Sequence, residues 1–253
     1  MTEPLPVFAL HGWALNAAVF DSLRADFAGR RFVAPDLPGH GLRRGERLGR
    51  DAGELIDRLL AEAPVRSIWL GWSLGSLLAL GAASRAPERI AAMIMVTGAA
   101  TFMARPGWPQ GLPRERLERM AADLARDPVD AVNDFMTLQV VASAAGRKGL
   151  RGLKTALAAR GRASPEALAD GLSLLETMDW RAALAHIRMP VLLVAGAHDR
   201  LVHSEAARAT AAGLADGRLE LFPEAAHAPF LSQPDEFRAV MADFLAAIHD
   251  GSR

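Results

Sequence analysis

The run IWLGWSLGSLLAL, residues 68–80, sets one polar side chain, Ser73, between Gly71 and Gly75. A buried strand has no use for that hydroxyl, and a helix interior disfavours both glycines. The G-x-S-x-G spacing suits a sharp strand-to-helix turn that presents the hydroxyl, with glycines where side chains would collide with neighbouring backbone. The helix behind the turn aims its positive end at the site, where it favours a developing oxyanion. Serine is a weak nucleophile until a base takes its proton. The chemistry to look for is therefore acyl transfer, with a histidine as base and a carboxylate to orient it.

On such a turn the chain order is serine, acid, histidine. Of seven histidines, His11 and His40 come too early, His186 precedes a strand, and His249 lies at the end of the chain. His198 and His203 flank a candidate acid. His227 stands in FPEAAHAPF, after the last strand and before the last helix, among small residues that leave room for an imidazole. Asp199 follows the strand in VLLVAGAHDRLV; Asp179 belongs to a helical stretch and Asp216 to the wrong end of a sheet. Asp199 could also cap the helix near Ser204. An oxyanion hole needs two donors. One is the N–H of Leu74; the other is the N–H of Trp13 in FALHGWALN, where Gly12 lets the backbone turn. Trp13 can serve as a core aromatic as well. In this reading His227 takes the Ser73 proton, Asp199 stabilises the imidazolium, and water hydrolyses the acyl-enzyme.

These residues need a scaffold. Apolar runs at Pro6–Leu10, Phe32–Pro35, Ser67–Gly71, Ile90–Thr97, Val191–Ala195 and Arg218–Phe222 read as strands covered on both faces. Helical patterns at Asp51–Ala63, Leu74–Arg85, Ser204–Leu214 and Pro234–Ile248 alternate with them, which predicts a doubly wound, mostly parallel sheet. From about Arg105 to Ala185 no strand is evident. Four helical patterns follow a turn-rich RPGWPQGLPRE: Arg114–Ala125, Pro128–Val141, Leu150–Ala158 and Pro165–Leu175. An all-helical insertion, residues 105–185, carried on a core of residues 1–104 and 186–253, accounts for this; enlarged crossover helices are the alternative.

Composition narrows the classes. The chain has 253 residues, is 51% apolar, and carries 29 basic and 29 acidic side chains. That permits a large core and gives no general basic excess for nucleic acid. Without cysteine there is no disulfide, thiolate metal site or Cys nucleophile. No HExxH spacing and no phosphate-binding glycine fingerprint occurs, so neither metal nor cofactor is expected. No secretory signal and no membrane-length apolar run is evident, so a cytoplasmic protein away from membranes is expected; a monomer is expected as well.

The motifs HGWALNAAVF, DLPGHG, WLGWSLGSLLAL, FMTLQ and EAAHAPFLSQPDEF together resemble the BioH-type carboxylesterases, α/β-hydrolases that demethylate a pimeloyl-acyl-carrier-protein methyl ester in biotin synthesis. The resemblance spans nearly the whole chain. It implies an α/β-hydrolase fold with a helical cap, a Ser73–Asp199–His227 triad, Trp13 and Leu74 at the substrate carbonyl, and Phe135, Met136, Thr137, Leu138 and Gln139 in a substrate channel. It also implies an acyl-carrier protein as partner. In GRKGLRGLKTALAARGR, Arg147, Lys148, Arg151 and Lys154, followed by Arg160 and Arg162, occur without an acidic residue, and Arg147, Arg151 and Lys154 share helical spacing. That face could steer an acidic carrier, or be a solvated surface. Two features depart from the family: few residues precede the first strand, and DPVDAVND before FMTLQ is acidic. Other readings of the same residues are an esterase or lactonase on another small ester, a carbon–carbon bond hydrolase, or a triad-bearing ligand receptor.

Overall fold

The computed structural model describes residues 3–27, 29–140 and 146–248, without the side chains of Arg147 and Lys148. Six strands form one sheet: β1 (Val7–Leu10), β2 (Phe32–Val33), β3 (Ser67–Trp72), β4 (Ile90–Val96), β5 (Val191–Gly196) and β6 (Gly217–Phe222). Their order is β2-β1-β3-β4-β5-β6, and every pairing is parallel. The central strands are buried end to end, as unbroken apolar runs require when helices cover both faces. The edge strands blunt themselves: β2 is two residues long, and β6 carries Arg218 and Glu220.

Helices α1 (Ala52–Glu62), α2 (Leu74–Arg85), α7 (Ser204–Gly213) and α9 (Pro234–Ala247) flank the sheet, with a single turn, α8 (Pro229–Ser232), before the last. α1 shows why such segments become helices. Asp51 caps it by accepting from the Glu54 N–H at 3.0 Å, and Leu55, Ile56, Leu59 and Leu60 make one buried stripe. α2 is buried from Leu74 to Ala83, so it runs through the middle of the molecule and holds its N-terminus firmly.

Between β4 and β5 lie α3 (Arg114–Arg126), α4 (Pro128–Leu138), α5 (Gly146–Arg160) and α6 (Pro165–Thr177). α4 and α6 begin alike: an Asp127 or Ser164 cap, then a proline whose missing N–H costs nothing in the first turn. Leu117, Phe135, Leu168 and Leu172 from these helices join the same apolar cluster as the sheet. No helix among the described residues is long and apolar enough to cross a membrane.

Candidate active site

Ser73 stands between the end of β3 and the start of α2 with φ 56° and ψ −115°, a conformation an L-residue tolerates only when its surroundings impose it. The surroundings are tight. A side chain on Gly75 would overlap the Leu10 carbonyl, and one on Gly71 would overlap the backbone of Gly75 and Ser76. The Ser73 N–H donates to Val96 O at 3.0 Å, and Ser76 Oγ braces the turn by donating to Gly71 O at 2.7 Å. Leu74 is the first residue of α2, so its N–H has no acceptor within the helix.

Asp199 lies three residues past β5 and is buried. Its Oδ1 accepts from the N–H groups of Leu201 at 2.8 Å and Val202 at 3.1 Å, and its Oδ2 accepts from His227 Nδ1 at 2.7 Å. A carboxylate at that distance fixes the tautomer: Nδ1 carries the proton and Nε2 is left as a lone pair. Nε2 is enclosed and has no hydrogen-bond partner among the described residues. The His227 loop is held from two sides. Its carbonyl accepts from the Trp72 indole at 2.8 Å and from Thr97 Oγ1 at 2.9 Å, and its N–H donates to Gln139 O at 2.9 Å. Trp72 adjoins Ser73, so the imidazole is anchored beside the serine turn. The Ser73 hydroxyl and His227 Nε2 are not hydrogen-bonded to each other in this structure, a link that often tightens only with substrate present.

The loop after β1 completes the site. A side chain on Gly12 would stand 3.3 Å from Ser73 Cβ, so this loop lies directly against the serine. His11 accepts the Leu37 N–H on Nε2 at 2.9 Å, so its Nδ1 bears the proton and donates to Gly12 O at 2.9 Å. Pinning that carbonyl also orients the N–H of Trp13, which shares its planar peptide. The Trp13 N–H has no acceptor among the described residues. The indole is buried, donates to Leu168 O on α6 at 2.9 Å, and meets Phe135 edge-on at 4.7 Å.

Of the FMTLQ residues, Phe135, Met136 and Gln139 are buried, whereas Leu138 is partly exposed. Thr137 is exposed and donates back to Asn133 O at 2.9 Å, so the structure does not bring it together with the others. Gln139 is the reverse case: its amide is enclosed, and neither Oε1 nor Nε2 has a partner among the described residues. A narrow cleft of about 60 Å³ leads to Trp13 between Met120 and Asp123 on α3 and Ala131, Asp134, Phe135 and Leu138 on α4. Arg151 and Lys154 are exposed on α5, and the Arg147 and Lys148 side chains lie outside the described residues. Arg160, from the same basic run, turns inward to Asp36 Oδ1 at 3.3 Å.

Several residues of this neighbourhood carry no sequence signal of their own. Thr97 has φ 44°, unusual for a β-branched residue, and supports the His227 carbonyl. Asp36, buried in DLPGHG, accepts the N–H groups of Ala17 and Leu42 at 2.8 Å each and so ties three loops together. His11 and His40 pack with ring centroids 5.2 Å apart. Burial holds the His40 pKa down to about 4, and burial with the neighbouring His40 charge holds His11 to about 3, so both are neutral at pH 7.

An oriented imidazole with a bare Nε2, a strained serine and two unsatisfied backbone N–H groups can carry out nucleophilic acyl transfer. The pattern of the alpha/beta hydrolase family matches residues 7–240. The chain is 38% identical over 240 residues to the pimeloyl-[acyl-carrier protein] methyl ester esterase of Aromatoleum aromaticum, covering 92% of this chain and 95% of the relative. It is 36% identical over 239 residues to the protein of the same name from Vibrio parahaemolyticus, covering 93% and 92%. Among solved structures, an esterase from Exiguobacterium antarcticum superimposes with TM-score 0.85 at 21% identity, covering 98% and 94%. The enol-lactonase from Burkholderia xenovorans does so with TM-score 0.80 at 19%, covering 96% and 92%. The two structural likenesses bear on the fold alone; the family match and the sequence identities together make this chain a member of the alpha/beta hydrolase family, alongside relatives named as pimeloyl-carrier methyl ester esterases.

Proposed function

We propose that this protein is a soluble, cytoplasmic serine carboxylesterase that hydrolyses the methyl ester of a pimeloyl chain borne by an acyl-carrier protein. The observation that carries the proposal is the 2.7 Å bond between Asp199 and His227, on a loop anchored beside the strained Ser73. The names of the relatives supply the substrate.

The reaction follows from the atoms. His227 Nε2 takes the Ser73 proton as Oγ attacks the ester carbonyl, and Asp199 stabilises the imidazolium. The oxyanion collects on the N–H groups of Leu74 and Trp13. His227 returns the proton to the methoxide, methanol leaves, and a water activated by the same nitrogen releases the acid. Phe135 and Trp13 give the acyl chain apolar walls. Residues 105–185 serve as the cap.

The test is methanol release from the carrier-bound methyl ester and p-nitrophenol release from a short ester. Ser73→Ala should lower kcat by about 10⁴ or more on both with an unchanged circular dichroism spectrum. A variant that keeps its activity would place the nucleophile elsewhere.

A further inference from the structure

A second cavity, of about 480 Å³, opens between α4 and α5, lined by Asn133 and Met136 on one side and by Lys154, Leu157, Gly161 and Arg162 on the other. Among the described residues its wall carries two cations and no carboxylate. Neither cation has an ion-pair partner among the described residues, in contrast to Arg160 nearby, which Asp36 neutralises. Arg162 is short of acceptors. Its NH2 reaches Asn133 Oδ1 only at 3.5 Å, and its NH1 is enclosed with no acceptor among the described residues. An enclosed guanidinium N–H without an acceptor is costly to the fold. Yet the position is well defined: Asn16 Nδ2 donates to Gly161 O at 3.1 Å and Arg44 NH1 to Arg162 O at 3.1 Å, so the turn after α5 is tied down at both residues. Met136 and Leu157 are buried and give the cleft an apolar floor, which strengthens any charge-assisted bond made above it.

We propose that this cleft is a phosphate-binding site. A phosphate oxygen pair suits the fork of Arg162, Lys154 adds a point charge, and the Asn133 amide offers a further donor. The opposite side of α4 bears Phe135, packed on Trp13, so a molecule anchored here lies one helix away from the serine site. A phosphate monoester or diester is recognised by the same groups, and two sources fit. One is the phosphodiester that joins an acyl-bearing arm to its carrier, a role that rests on the proposed esterase reading; the other is a free phosphate.

Two measurements separate these. The first is titration of the wild-type protein with inorganic phosphate and with phosphopantetheine, followed by ³¹P NMR line broadening, beside Arg162→Gln, Lys154→Gln and the control Arg208→Gln on α7. The site predicts saturable broadening with the wild type and the control, weakened at least tenfold in both cleft variants. Equal broadening in all four proteins would overturn it. This arm needs no turnover, so it stands even if the esterase reading fails. The second is the ratio of kcat/KM on the carrier-bound ester to that on a phosphate-free methyl ester. A tenfold fall of this ratio in both cleft variants, with competition by phosphopantetheine, assigns the site to the carried arm. An unchanged ratio with retained phosphate binding overturns that assignment in favour of free phosphate. Equal losses on both esters would show that the cleft is structural support.

Discussion

The main-chain N–H of His227 donates to the carbonyl of Gln139 at 2.9 Å, which joins the loop of the candidate base to the C-terminal end of α4. The end of α4 therefore helps hold the His227 loop in place. The bond is main chain to main chain, so a displacement of α4 would pull on the His227 loop.

The Gln139 side chain does no such holding. Its amide is enclosed with both ends unpartnered among the described residues, an arrangement that typically costs about 1–3 kcal/mol. Gln139→Met should therefore raise the melting temperature and, if the amide meets substrate as proposed, lower kcat/KM on the ester. A variant that melts lower and hydrolyses normally would contradict both halves.

Asp199 does two jobs that one substitution can separate. Asp199→Asn keeps an acceptor for the Leu201 and Val202 N–H groups but removes the charge facing His227 Nδ1. Turnover of a short ester should fall by about 10³–10⁴ with little change in KM. A loss confined to KM would make Asp199 a loop brace and nothing more.

Much of this arrangement is legible in the sequence because its grammar is local. The strand, turn and helix around Ser73 follow from five residues, and Asp199 and His227 from their places after β5 and β6. The register that pairs Leu10 with Gly71 shows why Gly75 is small, but only in three dimensions does the Leu10 carbonyl occupy the space of its side chain. What the sequence hides are contacts between distant loops. Nothing around Leu37 signals that its N–H goes to His11, and nothing around Thr97 signals a positive φ. FMTLQ misleads in another way. Consecutive residues in the last turn of a helix cannot share a face, and Thr137 emerges on the outside.

The buried histidines make stability depend on pH. Both have folded-state pKa values below the ordinary 6.5, about 3 for His11 and about 4 for His40. Below pH 6.5 the unfolded chain binds protons that the folded chain refuses, so stability falls as pH drops toward 4. His40 alone contributes roughly 3 kcal/mol of that loss. Urea unfolding at pH 7, 5.5 and 4.5 should show the decline, and His40→Gln should flatten part of it. A variant with the wild-type slope would mean that His40 protonates freely in the folded state.

On the proposed mechanism His11 is a positioning residue, acting through the Gly12–Trp13 peptide. Its Nδ1–H holds Gly12 O at 2.9 Å, and the Trp13 N–H belongs to that same planar unit. Loss of one aligned oxyanion donor costs about 10²–10³ in kcat. His11→Leu removes the hold and leaves the Leu37 N–H without its acceptor, so it should both destabilise the fold and lower kcat of the folded fraction at unchanged KM. His11→Gln can donate to Gly12 O and accept from Leu37, and should restore much of the turnover. The comparison is made at 20 °C, on protein shown to be folded by near-ultraviolet circular dichroism. Full kcat in folded His11→Leu would show that the Trp13 peptide is oriented without the imidazole.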